Sequence, residues 1–191
     1  MREQVLTYLS QNVPSERLNH ILRVEQTAAD LAAVYDLDQQ KAATAGLMHD
    51  LAKCFKPQRL LHIAQQEGLI LDEIFEANPH LLHADVSAIV ARDTFGVKDE
   101  QVLSAIACHT LGSADMSPLS CIVFLADSIE PGRGNTPALK TLRQISRSDI
   151  DRAVYLTCDC TLKKLLHSPR LIHPRLITTR NKFLFKCKYG E

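Results

Sequence analysis

The sequence of 191 residues contains no tryptophan, only seven glycines and no net charge, because 22 Lys and Arg balance 22 Asp and Glu. It also lacks an apolar run of the roughly 18 residues that suggest a transmembrane helix. Its charged, amphipathic first residues do not resemble a cleavable signal. The charge balance favours neither a nucleic-acid partner nor a membrane surface. We therefore expect one globular domain over residues 1–191, in the cytoplasm and without membrane association.

The six cysteines form no CxxC pair and no regular framework, so the sequence indicates neither a disulfide scaffold nor a CxxC metal site. Cys158 and Cys160 flank Asp159 as "CDC". This stretch has two interpretations, a metal or redox pair or thiols that pack within a helix. Reduced thiols agree with the expected cytoplasmic location.

Apolar residues recur at three- and four-residue spacing through most of the chain, and strand-like alternation is nearly absent. Ser117 followed by Pro118 is a strong helix-start signal, because a hydroxyl caps and proline fits the first helical position. The pattern predicts an all-α protein with helices over 15–35, 38–53, 56–68, 81–96, 99–112, 117–132 and 148–167. The stretch 130–137 is the most irregular internal segment.

Residues 163–191 hold eight Lys or Arg against one acid, and Pro169 and Pro174 interrupt any long helix. The plain interpretation is a solvated basic tail. The alternative is that part of it closes over an anionic ligand. The aromatic residues lie at the extreme end, so a nucleic-acid arm has little support.

Ionisable residues interrupt apolar helical stretches at six positions: His20, His49, Asp50, His83, His109 and Asp127. Burying such groups is costly unless they are paired or bind a metal. Each histidine alone could be a satisfied core residue, and Asp127 could cap a neighbouring helix. Because four such histidines lie on separate predicted helices, a shared site is the better interpretation.

Adjacent helix residues project about 100° apart, so His49 and Asp50 can bind one ion from one helix end. His20 and Asp127 would complete the set from two other helices. Two imidazoles and two carboxylates suit Fe, Mn, Co or Zn rather than Ca or Mg. With zinc the pKa of bound water can fall to about 7, which supplies hydroxide at neutral pH.

The order His20, His49-Asp50, Asp127, with Lys53 three residues after Asp50, resembles the HD-domain metal-dependent phosphohydrolases. More narrowly, "KAATAGLMHDLAK" (41–53), "VLSAIACHTLG" (102–112) and "MSPLSCIVFLADSIEPGRG" (116–134) resemble the YqeK family of symmetrical diadenosine tetraphosphate hydrolases. The likeness spans most of residues 15–181 and leaves 182–191 as the basic tail. It implies an all-α HD-domain helical bundle.

The resemblance also implies roles for individual residues. The metal ligands are His20, His49, Asp50 and Asp127. The metal is iron, with Mn, Co or Zn as alternatives. The groups around the substrate are Arg17, Asp50, Lys53, His83, His109, Asp127 and Arg133. The catalytic residues are Asp50, His83 and His109.

The implied reaction is cleavage of diadenosine tetraphosphate to two ADP by metal-bound hydroxide. Two alternatives remain open at this point: an HD phosphohydrolase acting on another nucleotide or phosphomonoester, and a nucleotide-binding HD module without turnover. All the expected residues are present, which disfavours the second. The sequence leaves open whether the chain forms a homodimer.

Overall fold

The computed structural model describes residues 1–190. Helices make up nearly all of the regular secondary structure of these residues. The helices are α1 (Arg2–Asn12), α2 (Ser15–Val34), α3 (Gln39–Met48), α4 (Pro57–Gln66), α5 (Glu73–Ala77), α6 (His83–Phe95), α7 (Glu100–Cys108), α8 (Pro118–Ile129), α9 (Pro137–Ile145), α10 (Ile150–Leu166) and α11 (Pro174–Tyr189). Short 3₁₀ turns precede α6 and follow α8. Residues 1–190 contain no strand, so the all-α prediction is confirmed. None of these helices combines the length and apolarity needed to cross a membrane.

Helix α8 forms the centre of the bundle. Its residues 119–126 are all buried, and a helix that is apolar on every side belongs inside a protein. It contacts α2, α3, α7 and α10. Ser117 caps it as predicted, accepting a hydrogen bond from the Ser120 amide at 3.2 Å. Asp127, near its end, is therefore carried by the most enclosed helix of the fold.

Helices α2 and α3 cross in close contact at Gly46. A Cβ atom added to Gly46 would lie 3.0 Å from the Glu25 Cα atom, which is tighter than ordinary packing. The glycine thus allows α3 to bring the residues that follow it close to His20 on α2.

The expected helix over 38–53 ends early, at Met48. The His49 imidazole bonds the Gly46 carbonyl at 2.6 Å, and the backbone then forms tight turns in which the Lys53 amide bonds the Asp50 carbonyl. Side chains that compete for backbone carbonyls favour turns over continued helix. His109 likewise follows the end of α7 rather than lying within it.

The C-terminal region differs from the expected tail. Pro174 occupies the first turn of α11, so this proline begins a helix instead of breaking one. Helix α11 packs on α10 and buries Phe183 completely, which places residues 182–189 in the folded bundle. Glu191, also part of the predicted tail, lies outside the described residues. Residues 137–145 form a helix that the sequence did not indicate.

Candidate active site

Four predicted ligands meet where α2, α8 and the turn after α3 come together. The His20 Nε2 atom lies 3.0 Å from Asp127 Oδ1, and His49 Nε2 lies 3.9 Å from the same oxygen. His49 Nε2 is also 3.4 Å from Asp50 Oδ2. His20, His49 and Asp50 form a group whose donor atoms could hold one metal ion. The structure therefore brings together the four residues that the sequence assigned to a metal.

The second nitrogen of each imidazole is already engaged. His49 Nδ1 bonds the Gly46 carbonyl, and His20 Nδ1 lies 3.0 Å from Glu130 Oε1. Because these oxygens can only accept, each Nδ1 carries the hydrogen, and in the neutral ring Nε2 presents a lone pair. Within residues 1–190, both Nε2 atoms are buried and neither makes a well-aligned hydrogen bond, although carboxylate oxygens lie 3.0 and 3.4 Å away.

This arrangement directs two imidazole lone pairs and the carboxylates of Asp50 and Asp127 at the same small volume. Acceptors that face each other repel unless a cation or a proton lies between them. Imidazole nitrogen and carboxylate oxygen are the donors that transition metals take in proteins. The residues present therefore fit a bound metal ion.

The charges of the cluster stabilise one another. Burial alone disfavours ionised Asp50, yet its contacts with His49 and the other imidazoles hold the pKa of Asp50 well below its usual range. Burial likewise lowers the pKa of His49, but the charges of Asp50 and Asp127 outweigh it and raise that pKa overall. Burial also disfavours ionised Asp127, but its contact with His20 and the nearby positive charges hold the pKa of Asp127 below its usual range. Both carboxylates are consequently ionised at neutral pH and available as ligands.

A second group shares Asp50 with the first. His83 Nε2 lies 3.3 Å and His109 Nε2 lies 3.7 Å from Asp50 Oδ1. The Lys53 ammonium is 3.0 Å from His83 Nε2, and the Thr110 hydroxyl contacts both rings. Burial lowers the pKa of His83 to about 4, so its Nε2 accepts the hydrogen bond that Lys53 donates.

Cationic side chains line the opening of the cluster. A cleft of about 500 Å³ is bordered by Arg17, His20, Lys53 and Arg133. Arg17 also contacts Asp50 Oδ2 at 3.1 Å, and the Arg133 guanidinium bonds both the side chain and the carbonyl of Asp127. Four of the nine predicted site residues thus line one cleft, and the other five contact these four or one another.

A comparison with protein families agrees with this geometry. The sequence pattern of the HD domain matches residues 17–132, which is well over half of the chain and includes the four ligand positions. The chain belongs to the HD-domain family.

Two relatives of this chain carry the same name. A protein from Halalkalibacterium halodurans named "Bis(5'-nucleosyl)-tetraphosphatase, symmetrical" is 35% identical over 187 residues, covering 98% of this chain and 99% of the relative. A protein of the same name from Staphylococcus aureus is 31% identical, with coverage of 95% and 93%. The resemblance to the YqeK family is therefore confirmed.

A solved structure has the same fold. The crystal structure of a predicted HD superfamily hydrolase involved in NAD metabolism from Clostridium acetobutylicum has a TM-score of 0.93 and 34% sequence identity. The similarity covers 97% of this chain and 98% of that one. The match supports an HD-domain arrangement along nearly the whole length of this chain.

Sequence reasoning missed one buried residue of the HD site, Glu130. Its side chain is 1% exposed and contacts His20 Nδ1, the Arg23 guanidinium and the Gly132 amide. A carboxylate on the far nitrogen of a ligand histidine fixes the ring orientation and raises ligand basicity. The signal was its position three residues after Asp127, at the end of the apolar helix.

The "CDC" stretch does not join a metal group in the described part of the chain. Cys158 is fully buried in α10 and Cys160 is partly buried, and neither belongs to a cluster of three or more potential ligands. Burial raises the pKa of the Cys158 thiol to about 12, which keeps it protonated. Of the two interpretations, packing thiols is the one that the geometry supports.

Proposed function

We propose that this HD-domain hydrolase cleaves diadenosine tetraphosphate symmetrically to two ADP. One observation supports this most directly: two buried imidazole nitrogens without a well-aligned hydrogen bond and two carboxylates converge beside a cleft bordered by Arg17, Lys53 and Arg133. Such a cleft suits a ligand with several adjacent negative charges. The names of the relatives identify dinucleoside tetraphosphates as the first substrates to test.

The residues proposed to hold the metal are His20, His49, Asp50 and Asp127. A bound transition metal polarises phosphoryl oxygen and lowers the pKa of water. We propose iron as the native metal, with Mn, Co and Zn as the alternatives to be compared. Two histidines and two carboxylates accept any of these ions.

The chain's own cations are proposed to bind the polyphosphate. Lys53 and Arg133 donate charged hydrogen bonds to phosphoryl oxygens, and Arg17 adds a third positive charge. A polyphosphate in the cleft also brings negative charge next to His83 and His109. We propose that His83 and His109 donate hydrogen bonds to phosphoryl oxygens as charge develops in the transition state.

The proposed reaction breaks the central anhydride of the substrate. The oxygen of water bonds to the second phosphorus counted from one adenosine, and the bridging oxygen leaves with the other half. We assign Asp50 the role of orienting the water, because its carboxylate contacts both His49 and His83. It therefore lies between the proposed metal ligands and the pair His83 and His109. Each half departs as ADP, and the proton released by water passes to solvent.

The proposed setting is the cytoplasm. All six cysteines are free, and the pKa of the buried Cys121 and Cys158 thiols is raised to about 12, which suits reduced thiols. Self-association as a homodimer stays a prediction to be measured by sedimentation.

The test is product analysis with purified, metal-loaded protein under reducing conditions. Diadenosine tetraphosphate should give ADP alone on chromatography, and the His49→Ala variant should give no product. Equal amounts of AMP and ATP would exclude symmetrical cleavage. Faster turnover of another nucleotide or a phosphomonoester would favour the broader HD phosphohydrolase. Tight ADP binding with no turnover of any nucleotide would favour a binding module.

A further inference from the structure

His173 lies between α5 and α11 and is 8% exposed. Its ring packs on Phe75 of α5, with the ring centroids 4.1 Å apart. Its Nδ1 atom lies 3.1 Å from the Arg175 amide in the first turn of α11, and its Nε2 atom lies 3.1 Å from Asp72 Oδ2. The Asp72 carboxylate in turn caps α5 through the amides of Ile74 and Phe75. One buried imidazole therefore joins the starts of two helices.

The contact of Nδ1 sets His173 apart from other histidines of the chain. A backbone amide can only donate, so His173 Nδ1 presents a lone pair, and the hydrogen of the neutral ring is on Nε2, towards Asp72. Within residues 1–190, the other described Nδ1 contacts are all to oxygens that accept, so each of those rings carries its hydrogen on Nδ1. They belong to His20, His49, His83, His109 and His167. Among these six rings, the Nδ1 atom of His173 is the one that accepts, and it does so as a helix cap.

The capped residue, Arg175, connects α11 to the turn that carries His109. Its guanidinium bonds the carbonyls of Gly112 and Ala107 and pairs with Asp85 near the start of α6. The guanidinium keeps these partners only while the first turn of α11 keeps its place. The cap on the Arg175 amide therefore fixes the base of the side chain that holds the His109 turn.

We propose that His173 is a positioning residue for the reaction: its neutral ring holds Arg175 in place, and Arg175 holds the turn that presents His109 to the phosphoryl oxygens. This inference rests on the proposed function, because it adds a residue that acts on the same site from outside it. Protonation ends this role. The protonated ring carries a hydrogen on both nitrogens, so Nδ1 and the Arg175 amide then face each other as two donors.

The surroundings of the ring determine the pH at which it becomes protonated. Burial lowers the pKa of His173, and the positive charge of Arg175 adds to this, whereas Asp72 and Asp85 act in the opposite direction. The other titratable or charged residues that border the cavity beside the ring are His80 and Arg170. Because the pKa is lower in the folded chain than its ordinary value of about 6.5, the stabilising cap is complete above that value. It is lost as the pH falls through the lowered pKa.

The first test reads the ring directly. In zinc-loaded protein, which is diamagnetic, nitrogen NMR should show the neutral His173 ring with its hydrogen on Nε2, and the His49 ring, as internal control, with its hydrogen on Nδ1. The resonances that disappear in His173→Asn identify the ring. The Arg175 amide should shift with the same midpoint as the ring, below about pH 6.5. A neutral His173 ring with its hydrogen on Nδ1 would overturn the proposal, because such a ring cannot cap α11.

The second test compares two substitutions at this position. Asparagine is a preferred cap residue because its side-chain oxygen accepts from the amide, whereas alanine has no acceptor. At neutral pH, His173→Ala should lower kcat by roughly 10-fold, since small displacements of a reacting group are costly, with KM and metal content unchanged. His173→Asn should restore most of this loss. His62→Asn, which changes an exposed histidine of α4, should match the parent protein. Unchanged kcat in His173→Ala, or an equal loss in both variants, would overturn the positioning role.

The third test follows stability against pH. Asparagine does not titrate in this range, so the free energy of unfolding of the parent protein should fall relative to that of His173→Asn as the pH drops below about 6.5. Above that value the difference between the two proteins should stay constant. Urea unfolding of the metal-loaded proteins measures both free energies. A difference that does not change with pH would contradict the loss of the cap on protonation.

These results separate the positioning role from the proposed function. Cleavage of diadenosine tetraphosphate to ADP at the same rate in the parent protein and in His173→Ala would overturn the positioning role and leave the function intact. A His173 ring that caps α11 and titrates as expected, in a protein that cleaves no diadenosine tetraphosphate, would support the cap and overturn the function.

Discussion

The ligand assignment depends on individual atoms, above all on the two buried imidazole Nε2 atoms that face carboxylates. Removing one ligand leaves only three of the four proposed donor residues to bind the metal. In His49→Ala and Asp127→Ala we expect metal affinity and activity each to fall by more than about 100-fold, since changing a residue that only contacts a ligand already costs roughly 10- to 100-fold. The helical content should be retained. Elemental analysis and circular dichroism measure the two properties. His62→Ala, which changes an exposed histidine, should keep its metal. Full occupancy in either ligand variant would contradict the assignment.

Glu130 is expected to act through His20 rather than on the metal. Glu130→Gln keeps the side-chain volume but loses the negative charge that fixes the His20 ring, so metal affinity should fall by roughly 10- to 100-fold. Competition with a chelator measures this affinity. Glu76→Gln, at an exposed position on α5, is the control. An unchanged metal affinity would show that packing alone orients His20.

Alanine variants of Lys53 and Arg133 test phosphate binding separately from metal binding. Each alanine variant should keep its metal and bind nucleotide about 10- to 150-fold more weakly, because a charged hydrogen bond contributes roughly 1.5–3 kcal/mol. Isothermal calorimetry with ADP gives the affinity, and Lys98→Ala provides an exposed lysine as reference. If both variants bind like the parent protein, the polyphosphate follows another path.

Among individual residues, the sequence was informative where a polar or charged side chain occurred within an apolar stretch. His49 and Asp127 could be selected because charged or polar groups are rarely placed in apolar stretches without a partner. Glu130 and Arg23 escaped notice because charged residues at a helix end are common. Only the folded chain brings the Glu130 carboxylate against the His20 ring, 110 positions away in the sequence.

At the scale of elements, α11 holds the turn that carries His109. The Arg175 guanidinium bonds the carbonyls of Gly112 and Ala107 at 2.6 and 2.9 Å and pairs with Asp85 at 3.1 Å. These bonds join the C-terminal helix to the end of α7 and the start of α6. The basic segment that the sequence suggested as a tail therefore stabilises two elements of the site.

Removing this link should affect both stability and catalysis. In Arg175→Ala, losing charged hydrogen bonds of about 1.5–3 kcal/mol should lower the melting temperature by roughly 3–12 °C for a chain of this size. The kcat/KM should fall because the turn that carries His109 loosens, while metal content stays unchanged. Thermal melts, kinetics and elemental analysis supply the three measurements. Arg147→Ala, on an exposed loop position, should match the parent protein, and an unaltered melting temperature in Arg175→Ala would exclude this anchoring role.

Most helices could be predicted because their apolar periodicity and start signals act locally. Pro118 and Pro174 both occupy the first turn of a helix, yet only the first was recognised. Ser117 gave a clear cap before Pro118, whereas the cap before Pro174 is the His173 ring, which is an unusual capping group. The early end of α3 was missed because it depends on the His49 contact with Gly46, which composition does not reveal.

For the whole molecule, we propose that the cationic cleft and the metal cluster fix the position of cleavage by the number of phosphates between one bound nucleoside and the cluster. In this proposal one nucleoside diphosphate unit is enclosed by the cleft beside Lys53 and Arg133, so its distance from the metal cluster is set by the fold and not by the length of the substrate. Attack then falls on the second phosphorus from the enclosed adenosine in every dinucleoside polyphosphate.

Substrates with different numbers of phosphates test whether the position of cleavage is fixed in this way. Diadenosine triphosphate should give ADP and AMP, and diadenosine pentaphosphate should give ADP and ATP. In water enriched in heavy oxygen, the label should enter ADP in both reactions, because ADP carries the attacked phosphorus. Mass spectrometry of the separated nucleotides measures the products and the label together, and unreacted ADP incubated with the enzyme controls for exchange. Label in AMP from the triphosphate or in ATP from the pentaphosphate would show that attack occurs in the half that leaves, and the enclosed end would then not set the position of cleavage.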